Sequence, residues 1–200
     1  MKIGTVMYKT EQIAWSFVSL LNMRDPYTAY HLRGTADISK AIGERLGFEK
    51  SYVQEIYLGA LLHDIGKNAI PSQLLSKPSA LLPAEYGLIQ THVEHGWSIL
   101  EGLGFSQTIA DISRNHHERM DGSGYPQGLK AEFLSEAVRV VAVADSIHAM
   151  VSKRTYRVPL SRSKVISELE KDADIRLDGK IVEAACELVS SGLGKVTRHI

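Results

Sequence analysis

Apolar positions recur at steps of three and four residues along most of the chain, the spacing that lines up one face of an α-helix. Ile13, Phe17, Leu20 and Leu21 form a first amphipathic stretch, closed by Asp25-Pro26. A second covers residues 28–46 and meets Gly47, placed where a helix stop belongs. Ser51 reads as the N-cap of a third, with Glu55 beyond it, and the apolar stretch 56–65 ends at Gly66. Pro71, Pro78 and Pro83 then punctuate a loop-rich segment. Proline is favoured at a first helical position, so a helix is expected over 83–100, followed by another over 107–116. Asp121-Gly122-Ser123-Gly124-Tyr125-Pro126 is a loop, since its glycines and proline make a helix through it costly.

Residues 137–151 are apolar and rich in β-branched valine, so strand and helix compete there. The length of the run favours a buried helix. Segments 162–171 and 179–190 supply two more helices. With no internal repeat and no linker-like shift in composition, the pattern predicts an all-α fold, one domain of about seven to eight helices. Residues 1–24 form an N-terminal helix packed on a core of 25–200. Its apolar positions Ile13, Phe17 and Leu20 either cap the bundle or make a homodimer contact, and the pattern leaves both open.

Composition narrows the function. The 200 residues suffice for a sizeable core. Lys and Arg total 23 and so do Asp and Glu, giving zero net charge, which disfavours a partner as anionic as long nucleic acid. A small phosphate ligand needs only a few local cations and stays open. The one cysteine, Cys186, excludes an intrachain disulfide, and its helical setting suits a buried, inert thiol. No apolar run has the length of a membrane span and no secretory pattern opens the chain, so a cytoplasmic location is expected.

Candidate chemistry lies in the histidines. Six of the eight (His31, His63, His92, His116, His117 and His148) sit in or beside apolar helical stretches. The sharpest feature is His63-Asp64 within an apolar run. A buried carboxylate there needs a cation or dense hydrogen bonding, because burying it unpaired costs several kcal/mol, roughly. Taken alone, the pair serves equally well as a buried hydrogen-bonded strut. Asn115-His116-His117-Glu118 adds two imidazoles where a helix gives way to a loop, the one place where adjacent side chains can converge. Asp145 is a further acid in an apolar helix. Five separate segments thus each offer a nitrogen or oxygen ligand, a donor set suited to iron, manganese or zinc, with one carboxylate able to bridge two ions. No thiolate is among them, which argues against a structural zinc site.

These residues resemble the HD-GYP family, a branch of the HD phosphohydrolase superfamily. The likeness spans residues 25–188. It includes Tyr27-Thr28-Ala29-Tyr30-His31, His63-Asp64-Ile65-Gly66-Lys67, His92-Val93-Glu94-His95-Gly96, His116-His117-Glu118-Arg119, the Asp121-to-Pro126 loop, Val143-Ala144-Asp145 and Arg154-Thr155-Tyr156-Arg157. The resemblance implies a helical domain of the HD type around a metal centre. His31, His63, Asp64 and Asp145 hold one divalent ion; His92, His116 and His117 hold the second, with Asp64 bridging. Iron or manganese is expected, zinc being the other candidate. Tyr27 stands where some relatives carry a glutamate for a third metal, so two ions are expected. Lys67 reaches the scissile phosphate, Arg154 and Arg157 contact substrate phosphates, and Tyr125 marks the loop at the substrate site. His148 stands where many relatives have aspartate; three residues from Asp145 and so on the same helix face, it bears on the groups behind the metal ligands or on the substrate pocket, or else serves only packing, which puts substrate preference in doubt and leaves metal binding intact.

The implied reaction is hydrolysis of cyclic di-GMP to linear pGpG, with GMP after a second cut, and Asp64 and Lys67 as catalytic residues. Rival readings are a phosphodiesterase for 3′,3′-cyclic GMP-AMP or another nucleotide, and a non-catalytic receptor for the dinucleotide. The 121–126 loop offers a docking point for a diguanylate cyclase domain, or serves only the pocket mouth.

Overall fold

The computed structural model describes residues 3–152 and 158–192, with side chains from residue 10 onward. Ten α-helical segments and two 3₁₀ segments appear among these residues, with no strand, only isolated bridges. In order they are α1 (Ile3–Arg24), α2 (Pro26–Arg45), α3 (Lys50–Leu62), α4 (Ser72–Leu75), α5 (Pro83–Gln90), α6 (His92–Gly102), α7 (Gln107–Asn115), α8 (Glu136–Val151), α9 (Arg162–Asp172) and α10 (Gly179–Ser190). The 3₁₀ segments are Ile65–Ala69, between α3 and α4, and Ala131–Phe133, before α8.

Helix starts follow capping chemistry. Asp25 accepts the Thr28 amide at 3.0 Å ahead of Pro26, and Asp178 accepts the Lys180 amide at 3.1 Å. Ser106, Ser135 and Ser161 do the same for α7, α8 and α9. Gly47 ends α2 at φ 77, and the Phe48 amide returns to the Gly43 carbonyl at 3.1 Å. Ser51 is not the cap expected of it: α3 begins at Lys50 behind Glu49, which makes no side-chain cap bond. Two further differences raise the helix count above eight. The expected helix over 83–100 breaks at Thr91, whose amide tightens back to Leu88, and the proline-rich segment holds the single turn Ser72–Leu75.

The core lies where α2, α3 and α8 meet, around Leu32, Ile42, Ile56, Leu61, Val140, Val143 and Ile147, all buried. α8 is apolar nearly all round, which explains both its strand-like composition and its burial as a helix. α1 covers this core with Ala14, Val18 and Leu21. Of the positions expected to do so, Phe17 packs in part while Ile13 and Leu20 face outward, 45% and 62% exposed. The packing stripe is therefore displaced by one residue from the one the larger side chains suggested. Cys186 is partly buried rather than fully so, and burial pushes its thiol up from the ordinary range. No helix among the described residues is long and apolar enough to cross a membrane.

Candidate metal centre

Where helices end decides which side chains converge. α3 stops at Leu62, and His63 and Asp64 occupy the turn into the Ile65–Ala69 segment. That change of winding lets two adjacent side chains face one point, which they cannot do inside an α-helix. α7 stops at Asn115 in the same way, freeing His116 and His117. Gly66 lets the 3₁₀ segment seat on α6: a Cβ there would run into the His92 carbonyl and the Gly96 amide nitrogen. Arg24 fixes the segment from outside, donating to the Asn68 carbonyl at 2.5 Å and the Ile70 carbonyl at 2.7 Å.

All seven candidate ligands come together in two groups, each with its ligand atoms within 4.8 Å of one another: Asp64, His92, His116 and His117, and His31, His63 and Asp145. Asp64 joins the two. Its Oδ1 lies 3.1 Å from Nε2 of His92 and 3.8 Å from Nε2 of His116, while its Oδ2 lies 3.5 Å from Nε2 of His63. On the other side, Asp145 Oδ1 is 2.8 Å from His31 Nε2 and 3.8 Å from His63 Nε2. Lys67 Nζ sits 2.5 Å from Asp64 Oδ2.

This arrangement fits a pair of divalent cations on its own geometry. Asp64 Oδ1, His92 Nε2 and His116 Nε2 are buried and make no hydrogen bond; the His92–Asp64 approach is close but misaligned for one. Three orphaned groups at one spot are costly in an apo fold unless a ligand takes their lone pairs. The distant ring atoms support that role. Nδ1 of His63 meets the Ala60 carbonyl and Nδ1 of His92 the Ile89 carbonyl, both at 2.7 Å, and Nδ1 of His116 meets the Ile112 and Ser113 carbonyls at 3.1 Å. A carbonyl only accepts, so each Nδ1 carries the proton and each Nε2 turns its lone pair inward.

The electrostatics agree. Burial drives the His63, His116 and His117 imidazoles down from their usual range, His117 to about 3, so they stay neutral and ready to ligate. Burial alone would lift the Asp64 carboxyl, but Lys67, His63 and His92 hold it well below the ordinary carboxylate range. The same contest at Asp145 is won chiefly by His31.

Tyr125 closes one side, its ring stacked on His117 with centroids 4.7 Å apart. Its loop is tied down by Glu118, which is buried and accepts the Gln127 and Leu129 amides at 2.7 and 3.0 Å. Glu118, Gly66 and Tyr86, whose ring meets Tyr125 edge-on, were given no such roles by the sequence. Their partners lie far along the chain or on the backbone, where residue type alone gives no signal. Arg154 and Arg157 lie outside the described residues.

A family model described as HD domain matches residues 16–181. The chain belongs to the HD domain family. This agrees with the HD-GYP resemblance. The chain is 38% identical over 184 residues to a cyclic di-GMP phosphodiesterase of Thermotoga maritima, covering 89% of this chain and 50% of that protein. It is 30% identical over 172 residues to 3'3'-cGAMP-specific phosphodiesterase 1 of Vibrio cholerae, covering 86% of this chain and 40% of that one. The chain thus spans half or less of these relatives' length. Among solved structures, an HDG"Y"P protein from Bdellovibrio bacteriovorus superposes with a TM-score of 0.70 at 20% identity, over 92% of this chain and 64% of that one, a likeness of fold.

Proposed function

We propose that this HD domain is a metal-dependent phosphodiesterase that opens cyclic di-GMP to linear pGpG, with GMP from a second cut. The observation that carries the reading is the set of orphaned, inward-facing donors shared across Asp64. His31, His63, Asp64 and Asp145 would hold one ion and Asp64, His92, His116 and His117 the other. Imidazole and carboxylate donors without thiolate favour iron or manganese. When bound, such a pair supplies Lewis acidity and an activated hydrolytic water at neutral pH.

The chain's own residues do the rest. Neutral imidazoles keep their lone pairs available without proton competition, and the two oxygens of Asp64 face opposite groups, fixing their separation. Lys67, its ammonium already at the rim of Asp64, donates to a non-bridging phosphate oxygen and neutralises charge that grows as the 3′ O–P bond breaks. Tyr125 walls the site beside His117 and excludes water from that side. Arg154 and Arg157 neutralise the second phosphate and orient the ring.

A second substrate, 3′,3′-cyclic GMP-AMP, is favoured by the cGAMP-specific relative at 30% identity. Product chromatography on metal-loaded protein, offered cyclic di-GMP, 3′,3′-cyclic GMP-AMP and cyclic di-AMP with and without chelator, tests the proposal. Chelator-sensitive pGpG is the expected product; intact cyclic di-GMP alongside cleaved cyclic GMP-AMP would replace the substrate, and binding without any hydrolysis would replace the enzyme by a receptor.

A further inference from the structure

Three of the inward-facing histidines take their orientation from a backbone carbonyl within their own helix or turn. His31 does not. Its Nε2 faces Asp145, as a ligand should, but its Nδ1 lies 2.8 Å from Nδ1 of His148, a wholly buried residue. We propose that His148 is the positioning residue for His31. Its Nδ1 accepts the Nδ1–H of His31 and thereby turns the Nε2 lone pair toward the ion shared with His63 and Asp145. The inference rests on the metal-centre reading and extends it to a residue that touches no ion.

Three observations support it. His148 sits three residues after Asp145 on α8, so one helix face presents a carboxylate to the ion and an acceptor to the other ligand of that ion. With Nδ1 accepting, the proton of His148 is on Nε2, and the Ser152 hydroxyl oxygen, 3.4 Å away at the end of the same helix, accepts it and steadies the ring in that tautomer. Across from it, α2 carries Gly34 in its interior, and a Cβ at that position would overlap Nε2 and Cδ2 of the His148 ring. A mid-helix glycine costs about 1 kcal/mol against alanine, so α2 gives up stability at the spot that lets this ring lie against His31. A neutral imidazole has one donor and one acceptor; for His31 to offer Nε2 to a cation, its proton must be on Nδ1, and the atom facing that proton is Nδ1 of His148.

The test is manganese stoichiometry and affinity, by elemental analysis and chelator competition, on the whole chain and three variants. Wild type should take two ions. His148→Leu, which cannot accept, should weaken one of the two, its affinity dropping about 10- to 100-fold, the usual effect of losing such an outer partner. The other ion stays, and the chelated protein keeps a cooperative melting transition. His148→Asn, whose Oδ1 can accept from His31, should retain both ions. Gly34→Ala, which displaces the His148 ring from His31 without changing either histidine in the sequence, should behave like His148→Leu. Equal affinities in wild type and His148→Leu, identical losses in the Leu and Asn variants, or joint loss of both ions with the fold would each overturn the positioning role. A wild-type chain that binds no manganese, iron or zinc would instead remove the metal-centre reading beneath it.

Discussion

Replacing Glu118 with alanine separates the loop from the metal centre. The carboxylate is buried and accepts two loop amides, from Gln127 and Leu129, at 2.7 and 3.0 Å. Hydrogen bonds to a charged group are worth about 1.5–3 kcal/mol each, and the loop is near enough to solvent for freed amides to find water, which favours the lower end. The expected cost is about 3 kcal/mol. It falls locally, because the Met120 and Ala131 backbone bonds, to Arg176 and Met120, remain to pin the neighbouring chain. At 1.36 kcal/mol per decade, amide exchange at Gln127 and Leu129 should quicken by about 100-fold. The metal content should be unchanged, since none of the lost bonds reaches a ligand side chain, while KM for the cyclic dinucleotide rises as Tyr125 loses its anchor. Unchanged exchange at these amides, or loss of metal in step with it, would refute the reasoning.

Other outcomes follow from the same geometry. Gly66→Ala must force the 3₁₀ segment off α6, a cost of about 1–3 kcal/mol, whereas Gly87→Ala, with open space around it, should be neutral or stabilising; thermal melts of the two that match would contradict the close-approach argument. In chelated protein, His117 titrates near 3 when folded and near 6.5 when unfolded, so the unfolded chain binds the extra proton as pH falls through 6.5. Stability should therefore drop by about 2 kcal/mol between pH 7 and pH 5 from this residue alone. His63 and His116 act in the same direction, and Asp64 and Asp145, held below 3.8, add their loss only at still lower pH. A melting temperature that is flat or rises toward pH 5 would show that these imidazoles are not held neutral.

Much of this architecture was legible in the sequence because helical periodicity and buried-residue chemistry are both local signals. α8 could be read as a helix from its length despite its valines, and Gly47 as a stop from residue type alone. The stripe on α1 was misplaced because Ile13 and Leu20 look more like core than Ala14 does; tertiary packing, not side-chain size, chose between adjacent faces. The split at Thr91 had no marker, since the residue is compatible with a continuous helix. Histidines and acids in apolar surroundings identified the candidate ligands, but their division into two groups came only through family resemblance, because spacing along the chain says nothing about which of five segments meet. The 117-residue separation of His31 and His148 puts their contact beyond any local pattern.

The most direct check on the central claim is the number of manganese ions retained by the wild-type chain and by Asp64→Ala after gel filtration, measured by elemental analysis. Asp64 turns one oxygen toward His92 and His116 and the other toward His63, so the wild type should carry two ions and the variant should retain none, with hydrolysis lost together with the metal. An Asp64→Ala chain that still carries two ions and turns over substrate would contradict the shared centre.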